Sequence, residues 1–464
     1  MESIIRDSLV AYMKKNLLFS NKQFGFIGGR STVLQLLKVL DNWTDILDRG
    51  GYVDVIYCDF MKAFDTVPHN RLMSVLEYYG VSDPILGWIK SFLSLRKQRV
   101  MVNGVPSAWH EVISGIPQGS VLGPVLFVVY INTIVDVIEH SDSFLFADDT
   151  KMSKGIFDPG HNMLLQEDID NISRWSDSSL LRFHPDKMAA MRISKKHSDL
   201  GPPRYEMKGK PLKVSDEEKD LGVIIDSQLN FEKHMQAKIN KANSIMGAIR
   251  RTIEYLDKEN FKLLYTALVR PHLEYANQVW SPYLQKHITA LENVQRRATR
   301  YIPGLKGLPY EDRLKEINLP TLAYRRYRGD MIETFKITHD LYDKEVTTDF
   351  LPMKKDKITR GHKYSLIKRD WNLNIRKNSF TYRIIDQWNN LPDSVVASKT
   401  VKCFESRLDK MWKSNKPEVV FNPDCNVRVL TSARSTRFYH TNTASNHAQP
   451  NKLKLQSDLM SEAS

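Results

Sequence analysis

Phe146-Ala147-Asp148-Asp149 sets two adjacent carboxylates at the tip of a predicted hairpin, and that local geometry constrains the chain more than any other feature. Ser143 to Ala147 has the aromatic and apolar content of a strand. Asp148-Asp149 is then predicted as a two-residue turn, with Thr150 to Ser153 returning as the partner strand. Negative charges crowded at a hairpin tip repel one another, and the physical remedy is a hard divalent cation with oxygen ligands. A lone Asp-Asp in a turn is ordinarily a solvated loop, so the pair carries weight only in company.

The company lies upstream. Tyr52 to Tyr57 is an apolar, β-branched run that predicts a buried strand, and Asp59 follows it, with Phe60, Lys62-Ala63-Phe64 and Asp65 close behind. Asp65 is assigned to capping the next turn. Between the acids, Ser114-Gly115-Ile116-Pro117-Gln118-Gly119-Ser120 holds an irregular backbone that lets a ligand approach closely. An apolar helix is expected from Val121 to Ile138, too short and too interrupted by Pro124, Asn132 and Asp136 to cross a membrane.

Other elements follow from local signals. Leu72, Val75, Leu76 and Tyr79 recur at helical spacing up to Gly80, and Asp83-Pro84 starts a second helix through Ile85, Trp88, Ile89 and Phe92. Asn103-Gly104 signals a hairpin between Arg99–Val102 and Ala108–Val112. A further helix is expected over 166–180 and a strand over 188–193. Helices packing one face of a small antiparallel sheet make an α+β fold. Past Asp226 the pattern is helical, with Met235, Ile239, Met246 and Ile249 on one face and Lys238 and Lys241 largely elsewhere; Arg296 and Arg297 lie on a second basic helix. Charged faces are ordinarily solvated, but several of them interleaved with tyrosines suit a nucleic-acid groove.

Taken in order, these segments resemble the reverse transcriptases of non-LTR (LINE-type) retrotransposons. The matching pieces are Gln23-Phe24-Gly25-Phe26 with Gly29-Arg30-Ser31-Thr32, then Asp59-Phe60 with Lys62 to His69. Gly115 to Ser120 with Leu122-Gly123-Pro124, Phe146 to Asp149, Phe183 with Pro185-Asp186-Lys187, and Lys219 to Val223 complete the series. The resemblance implies a right-hand polymerase palm with partial fingers over residues 1–226, a helical thumb-like region over 227–345, a C-terminal region of the element's polymerase over 346–412, and a disordered tail over 413–464.

The resemblance also implies roles. Asp59, Asp148 and Asp149 become the catalytic, metal-ligating carboxylates, the first two carrying two magnesium ions (manganese is the alternative) and Asp149 supporting them. Lys187 matches a lysine that protonates pyrophosphate. Phe64 matches an aromatic that excludes ribonucleotides, Gln118 and Gly119 lie beside the incoming nucleotide, and Arg30 touches template or nucleotide phosphate. Lys238, Lys241, Arg296 and Arg297 face nucleic acid. The implied partners are an RNA template, a DNA primer and deoxynucleotides. Gly28-Gly29-Arg30-Ser31-Thr32 approaches the end of a phosphate-binding P-loop but fails its spacing: the first glycine would fall on Phe24, and Arg30 replaces the lysine.

A net charge of +13 and a pI of about 9.3 agree with a polyphosphate partner. The three cysteines, Cys58, Cys403 and Cys425, have no metal-ligand spacing and suit a reducing, intracellular compartment; nuclear action is implied by the resemblance alone. No secretory segment or membrane span is expected. The family's endonuclease and the basic fingers segment before Ile4-Ile5-Arg6-Asp7 are absent from this sequence, which is read as truncated at its amino-terminal end. Three functions stay open: an RNA-directed DNA polymerase, a catalytically inactive nucleic-acid-binding protein, and an inert element copy.

Overall fold

The computed structural model describes residues 1–195, 201–354, 361–415 and 418–422, all within one compact unit spanning residues 1–431. Its centre is a five-stranded sheet: β1 (Tyr52–Cys58), β2 (Asp142–Phe146), β3 (Asp149–Ile156), β4 (Ala189–Ile193) and β5 (Lys213–Val214), in the order β5-β4-β1-β3-β2. All neighbours are antiparallel except β4 and β5. The small antiparallel sheet of an α+β fold is therefore present.

Helices cover both faces of this sheet, not one. Alternation along β1 sends Val53 and Val55 into one core and Ile56 and Cys58 into the other; Met191 and Ile193 oppose Ala190 in β4 in the same way. A central strand buried on both sides reads as a continuous apolar run, and that is why Tyr52 to Tyr57 lacks polar alternation. Asp54 is the exception. It is fully buried on β1, and the cross-strand Arg192 clamps it with Nε at 2.7 Å and Nη2 at 2.5 Å while the Tyr205 hydroxyl donates at 2.7 Å. A buried carboxylate is tolerable only with its lone pairs answered in this way.

On the first face lies α2 (Thr32–Asp48), whose Ser31 N-cap accepts from the Leu34 N–H. On the other lie α1 (Glu2–Lys15), α3 (His69–Tyr78), α4 (Ile85–Leu93), α5 (Gly123–Ile131) and α6 (Gly160–Ser179). Helix α5 is shorter than the expected Val121–Ile138 run because the chain tightens into a 3-10 turn at Asn132–Val137. Buried Asn132 there takes the Ser20 N–H and donates to Leu18 O, tethering the loop after α1. Helix α6 begins six residues before the expected Gln166. A hairpin turns at Asn103-Gly104, both at positive φ, but the strand after the turn is Val105–Pro106, paired with Met101–Val102, and within the expected 108–112 segment His110–Glu111 pairs with Lys97–Gln98 instead.

Beyond a hairpin of β6 (Glu217–Asp220) and β7 (Val223–Asp226) come α7 (Glu232–Thr252), α8 (Gln285–Ala298), α9 (Leu322–Thr338) and α10 (Val401–Asn415). Their apolar faces share one core with α2 and the sheet, running from Phe24 through Trp43, Met235, Trp280 and Trp388 to Val420. Order thus continues past residue 412, where a tail was expected: α10 runs to Asn415, Val420 is buried, and its carbonyl accepts the Thr321 N–H at 3.0 Å. The remainder of the expected tail, with Cys425, lies outside the described residues. No helix among the described residues is long and apolar enough to cross a membrane.

Candidate active site

The acidic hairpin turns one residue earlier than the sequence suggested. Phe146 pairs with Asp149, so the two-residue loop is Ala147-Asp148 and Asp149 opens β3. Ala147 takes the positive φ of 56° that the turn demands. An alanine held there needs outside support, and Gln23 supplies it. This fully buried side chain accepts the N–H groups of Ala147 at 2.9 Å and Gly25 at 2.7 Å through one oxygen. Phe24 N–H and Leu145 N–H bond across the same seam, at 2.7 and 2.9 Å. Gly25 is obligatory in this contact, since a Cβ there would lie 2.3 Å from Ala147 N.

Register brings Asp59 to the pair. Cys58 opposes Thr150 across β1 and β3, and one step further along the same register Asp59 falls opposite Asp149. Asp59 and Phe60 then pair with the segment before the 3-10 turn Pro185–Lys187: His184 N–H donates to Asp59 O at 2.7 Å, Met61 N–H to Arg182 O at 2.8 Å, and Phe60 stacks on Phe183 at 4.4 Å. This pairing delivers Lys187, whose Nζ stands 3.6 Å from Asp59 Oδ1. Four of the predicted residues, Asp59, Asp148, Asp149 and Lys187, therefore gather at one end of the sheet.

The carboxylates feel one another. Loss of hydration pushes the Asp148 carboxyl above its usual range, its own backbone N–H opposes that, and the charge of Asp59 adds to it. Asp149 is also raised, by lost hydration first and then by Asp148, Asp220 and Asp59, with Lys151 working against them. Beneath Asp149, Lys151 and Asp220 form a buried ion pair that ties β3 to the β6–β7 hairpin. Among the described residues no group of three or more His, Cys, Asp or Glu side chains is closed tightly enough to hold a metal ion. The donors at this end are oxygens short of positive partners, which is the chemistry that suits a hard divalent cation, although their spacing is not that of a closed ligand set.

Five residues beyond Asp59 in the chain, Phe64 stacks on buried Phe127 with centroids 4.1 Å apart and meets exposed Phe26 edge-on at 6.3 Å. The glycine-rich loop is strapped to the same segment: Ile116 N–H donates to Phe64 O at 2.7 Å and Gly115 N–H to Val67 O at 2.8 Å. Gln118 gives its side-chain amide to Asp65 at 2.9 Å, so Asp65 orients the loop rather than capping a turn. Gly119, at a φ of 80°, faces open space.

Arg30 is elsewhere. Its side chain is 1% exposed, pairs with Asp343 at 2.9 Å and Glu345 at 3.0 Å, and donates to Ser20 O and Gln23 O. The expected contact with a nucleotide phosphate is corrected: every arm of this guanidinium is occupied by the chain itself. Nothing near Arg30 in the sequence signals partners more than 300 residues away.

A basic face adjoins the acidic end through Lys219 on β6. Lys238 lies 6.0 Å over the Tyr275 ring, and burial with the neighbouring Lys219 charge lowers its pKa. Lys238 and Lys241 act together, after burial, to lower that of His272. Farther on, exposed Arg297 reaches Asn243 on α7 at 3.4 Å, and Arg296 stacks on Tyr310 at 5.1 Å. Roles for Gln23, Lys151 and Asp220 do not follow from the sequence, although Gln23-Phe24-Gly25 and Lys219-Asp220-Leu221-Gly222 both stand out there as motifs.

The family model described as reverse transcriptase (RNA-dependent DNA polymerase) matches residues 1–247, more than half of the 464-residue chain. The probable RNA-directed DNA polymerase from transposon X-element of Drosophila melanogaster is 28% identical over 317 residues, 65% of this chain and 34% of that protein. The RNA-directed DNA polymerase from mobile element jockey of Drosophila melanogaster is 26% identical over 334 residues, 68% of this chain and 35% of its own length. The chain thus spans about a third of the curated relatives it matches. Telomerase from Candida albicans, solved with a fragment of telomeric RNA, aligns over 68% of this chain and 57% of its own, with a TM-score of 0.39 and 10% identity. This chain belongs to the reverse transcriptase family, in its non-LTR retrotransposon branch.

Proposed function

We propose that the chain is an RNA-directed DNA polymerase, joining deoxynucleotides to a primer 3′-hydroxyl on an RNA template inside the cell, with nuclear DNA as its setting. The observation that carries this reading is the register that lines Asp59 up with Asp148-Asp149 beside Lys187. Two magnesium ions, or manganese, would supply Lewis-acid activation of the primer hydroxyl and of the attacked phosphate. Asp59, Asp148 and Asp149 are the residues that would hold them. Lys187, whose Nζ stands 3.6 Å from Asp59 Oδ1, is the group that would serve a departing pyrophosphate as general acid. Phe64, held flat by Phe127, presents a fixed wall to the sugar, and Gln118, fixed by Asp65, orients the loop whose open Gly119 lets a nucleotide approach the backbone. In this reading the palm and fingers comprise residues 1–226, and α7 and α8 begin the thumb.

A second reading, a nucleic-acid-binding protein without catalysis, is favoured by the open spacing of the acids among the described residues. Extension of a DNA primer on an RNA template separates the two. Magnesium-dependent extension supports the polymerase; salt-sensitive binding of the same primer–template with no extension in magnesium or manganese transfers support to the second reading.

A further inference from the structure

Phe26 is exposed although both of its apolar neighbours are buried. Phe24 packs into the core that α2 shares with the sheet, and Ile27 into the core on the opposite face. Phe26 between them is 53% exposed and holds a left-handed φ of 57°. A bulky residue at positive φ is strained, and such strain persists only where the flanking contacts over-determine the backbone. Both flanks are pinned here. Upstream, Gln23 and Phe24 bond the acidic hairpin; downstream, the Gly28 carbonyl accepts Lys14 Nζ at 3.0 Å and the Gly29 carbonyl accepts the Asp343 N–H at 2.8 Å.

The ring held out in this way meets Phe64. Their centroids stand 6.3 Å apart with the planes at 84°, while Phe127 of α5 lies nearly flat on Phe64, at 18° between planes. Phe64 itself is half-buried, and its backbone is fixed where its carbonyl accepts the Ile116 N–H. An aromatic ring supported on one face alone can still swing by changing rotamer. A second ring set at right angles removes that freedom. For a nucleotide sugar the difference is decisive, because ribose exceeds deoxyribose by a single 2′-oxygen and a wall that yields admits both.

We propose that Phe26 is a positioning residue for sugar selection: it holds the Phe64 ring in place, so that the incoming nucleotide meets a wall built from Phe26, Phe64 and Phe127 together. This rests on the polymerase reading of the chain and names the residue on which its choice between deoxynucleotides and ribonucleotides depends. The segment that carries Phe26 also supports the Asp148 turn through Gln23 and Gly25, so one stretch of chain sets both the turn of the acids and the sugar wall.

The test measures primer extension on an RNA template with deoxynucleotides and with ribonucleotides, with circular dichroism to check the fold. It compares the whole chain with its Phe26→Ala, Phe26→Tyr and Phe64→Val variants and with Phe26→Ala and Phe64→Val combined. Phe26→Ala is expected to lose roughly tenfold of the preference for deoxynucleotides, the scale on which an apolar wall discriminates one small group, chiefly through a lower ribonucleotide KM. Phe26→Tyr keeps the ring and is expected to keep the preference. Because Phe26 acts through Phe64, the combined variant is expected to match Phe64→Val alone. An unchanged preference in folded Phe26→Ala overturns the proposal. Equal loss of extension with both sugars also overturns it, in favour of a role in supporting the turn of Asp148. Effects that multiply in the combined variant overturn it too, since Phe26 then acts without Phe64. If Phe26→Ala does not fold, Phe26→Leu, which keeps apolar bulk without the ring, decides by the same ratio. Failure of the unsubstituted chain to extend with either sugar overturns the polymerase reading itself, and this proposal falls with it.

Discussion

Asp148 and Asp149 sit where negative charge is costly, and the cost has a sign that can be measured. Both carboxyls are raised in the folded chain, by lost hydration first and by acidic neighbours after it. A raised folded value means that the protonated form is the one the fold favours. Stability from these groups is full below the ordinary value of 3.8 and is lost as the pH climbs through the raised one. Asp148→Asn with Asp149→Asn is therefore expected to raise the unfolding temperature in metal-free buffer at neutral pH, a gain that shrinks as the pH approaches the ordinary carboxylate range. The same variant is expected to abolish primer extension. Scanning calorimetry with chelator across pH checks the first outcome, and an unchanged melting temperature at neutral pH would count against the crowding argument. At this scale the sequence was legible where chemistry is local: an acid after a buried strand, paired acids at a tip, a lysine after Pro185-Asp186. It misplaced the turn by one residue because Ala147, a poor candidate for positive φ, is held there by Gln23 from a distant segment. It misassigned Arg30 for the same reason, since its partners are remote in the chain.

Elements hold the site through contacts that tolerate little change. The Gln23–Gly25 strap touches the hairpin backbone itself, and Gly25→Ala forces a methyl against Ala147 N. Overpacking of this kind costs roughly 1–3 kcal/mol, and here the displaced atoms belong to the turn that carries Asp148. Gly25→Ala is expected to keep its secondary structure by circular dichroism and lose extension steeply; full activity would show that the turn can move without consequence. A second junction joins β7 to α7, where Ile224 N–H donates to His234 Nδ1 at 3.0 Å. Burial, with Lys238 behind it, lowers the imidazole to about 4 from 6.5. The neutral ring is the form the fold needs, so its contribution is present above 6.5 and is lost as the pH falls toward about 4. Urea midpoints across that window are expected to fall less in His234→Gln than in the unsubstituted chain, and parallel pH profiles would remove His234 as the cause. Helical periodicity made the elements readable, but not which faces they shared. Covering of the sheet on both sides follows from the two-sided burial of β1, which periodicity alone cannot distinguish from a buried helix segment.

Across the whole molecule, the expected boundaries at 226 and 345 cut through one apolar core. Met235 and Met246 of α7, Trp280, and Trp388 share that core with Val53 and Val55 of β1 and Trp43 of α2. Arg30 adds a polar lock between the same parts, holding the segment before α2 to Asp343 and Glu345. Breaking a buried ion pair on one side typically costs about 3–5 kcal/mol because the remaining charge is stranded. Asp343 and Glu345 are themselves partly exposed, so Arg30→Met is expected at the lower end, about 3 kcal/mol by urea unfolding, with the circular-dichroism and tryptophan-fluorescence transitions still coincident. A fragment ending at Asp226 would suffer more, because the face of the sheet and α2 that α7 and the later helices cover becomes solvent. Apolar surface exposed on that scale favours association over a defined native state. The fragment of residues 1–226 is accordingly expected to bind a hydrophobic dye, to lack a cooperative melting transition, and to need residues through Val420 for both to normalise. A cooperative, dye-free fragment would show instead that the acidic end of the sheet is held by α1, α3, α5 and α6 alone, and that the later helices serve nucleic acid without supporting the fold.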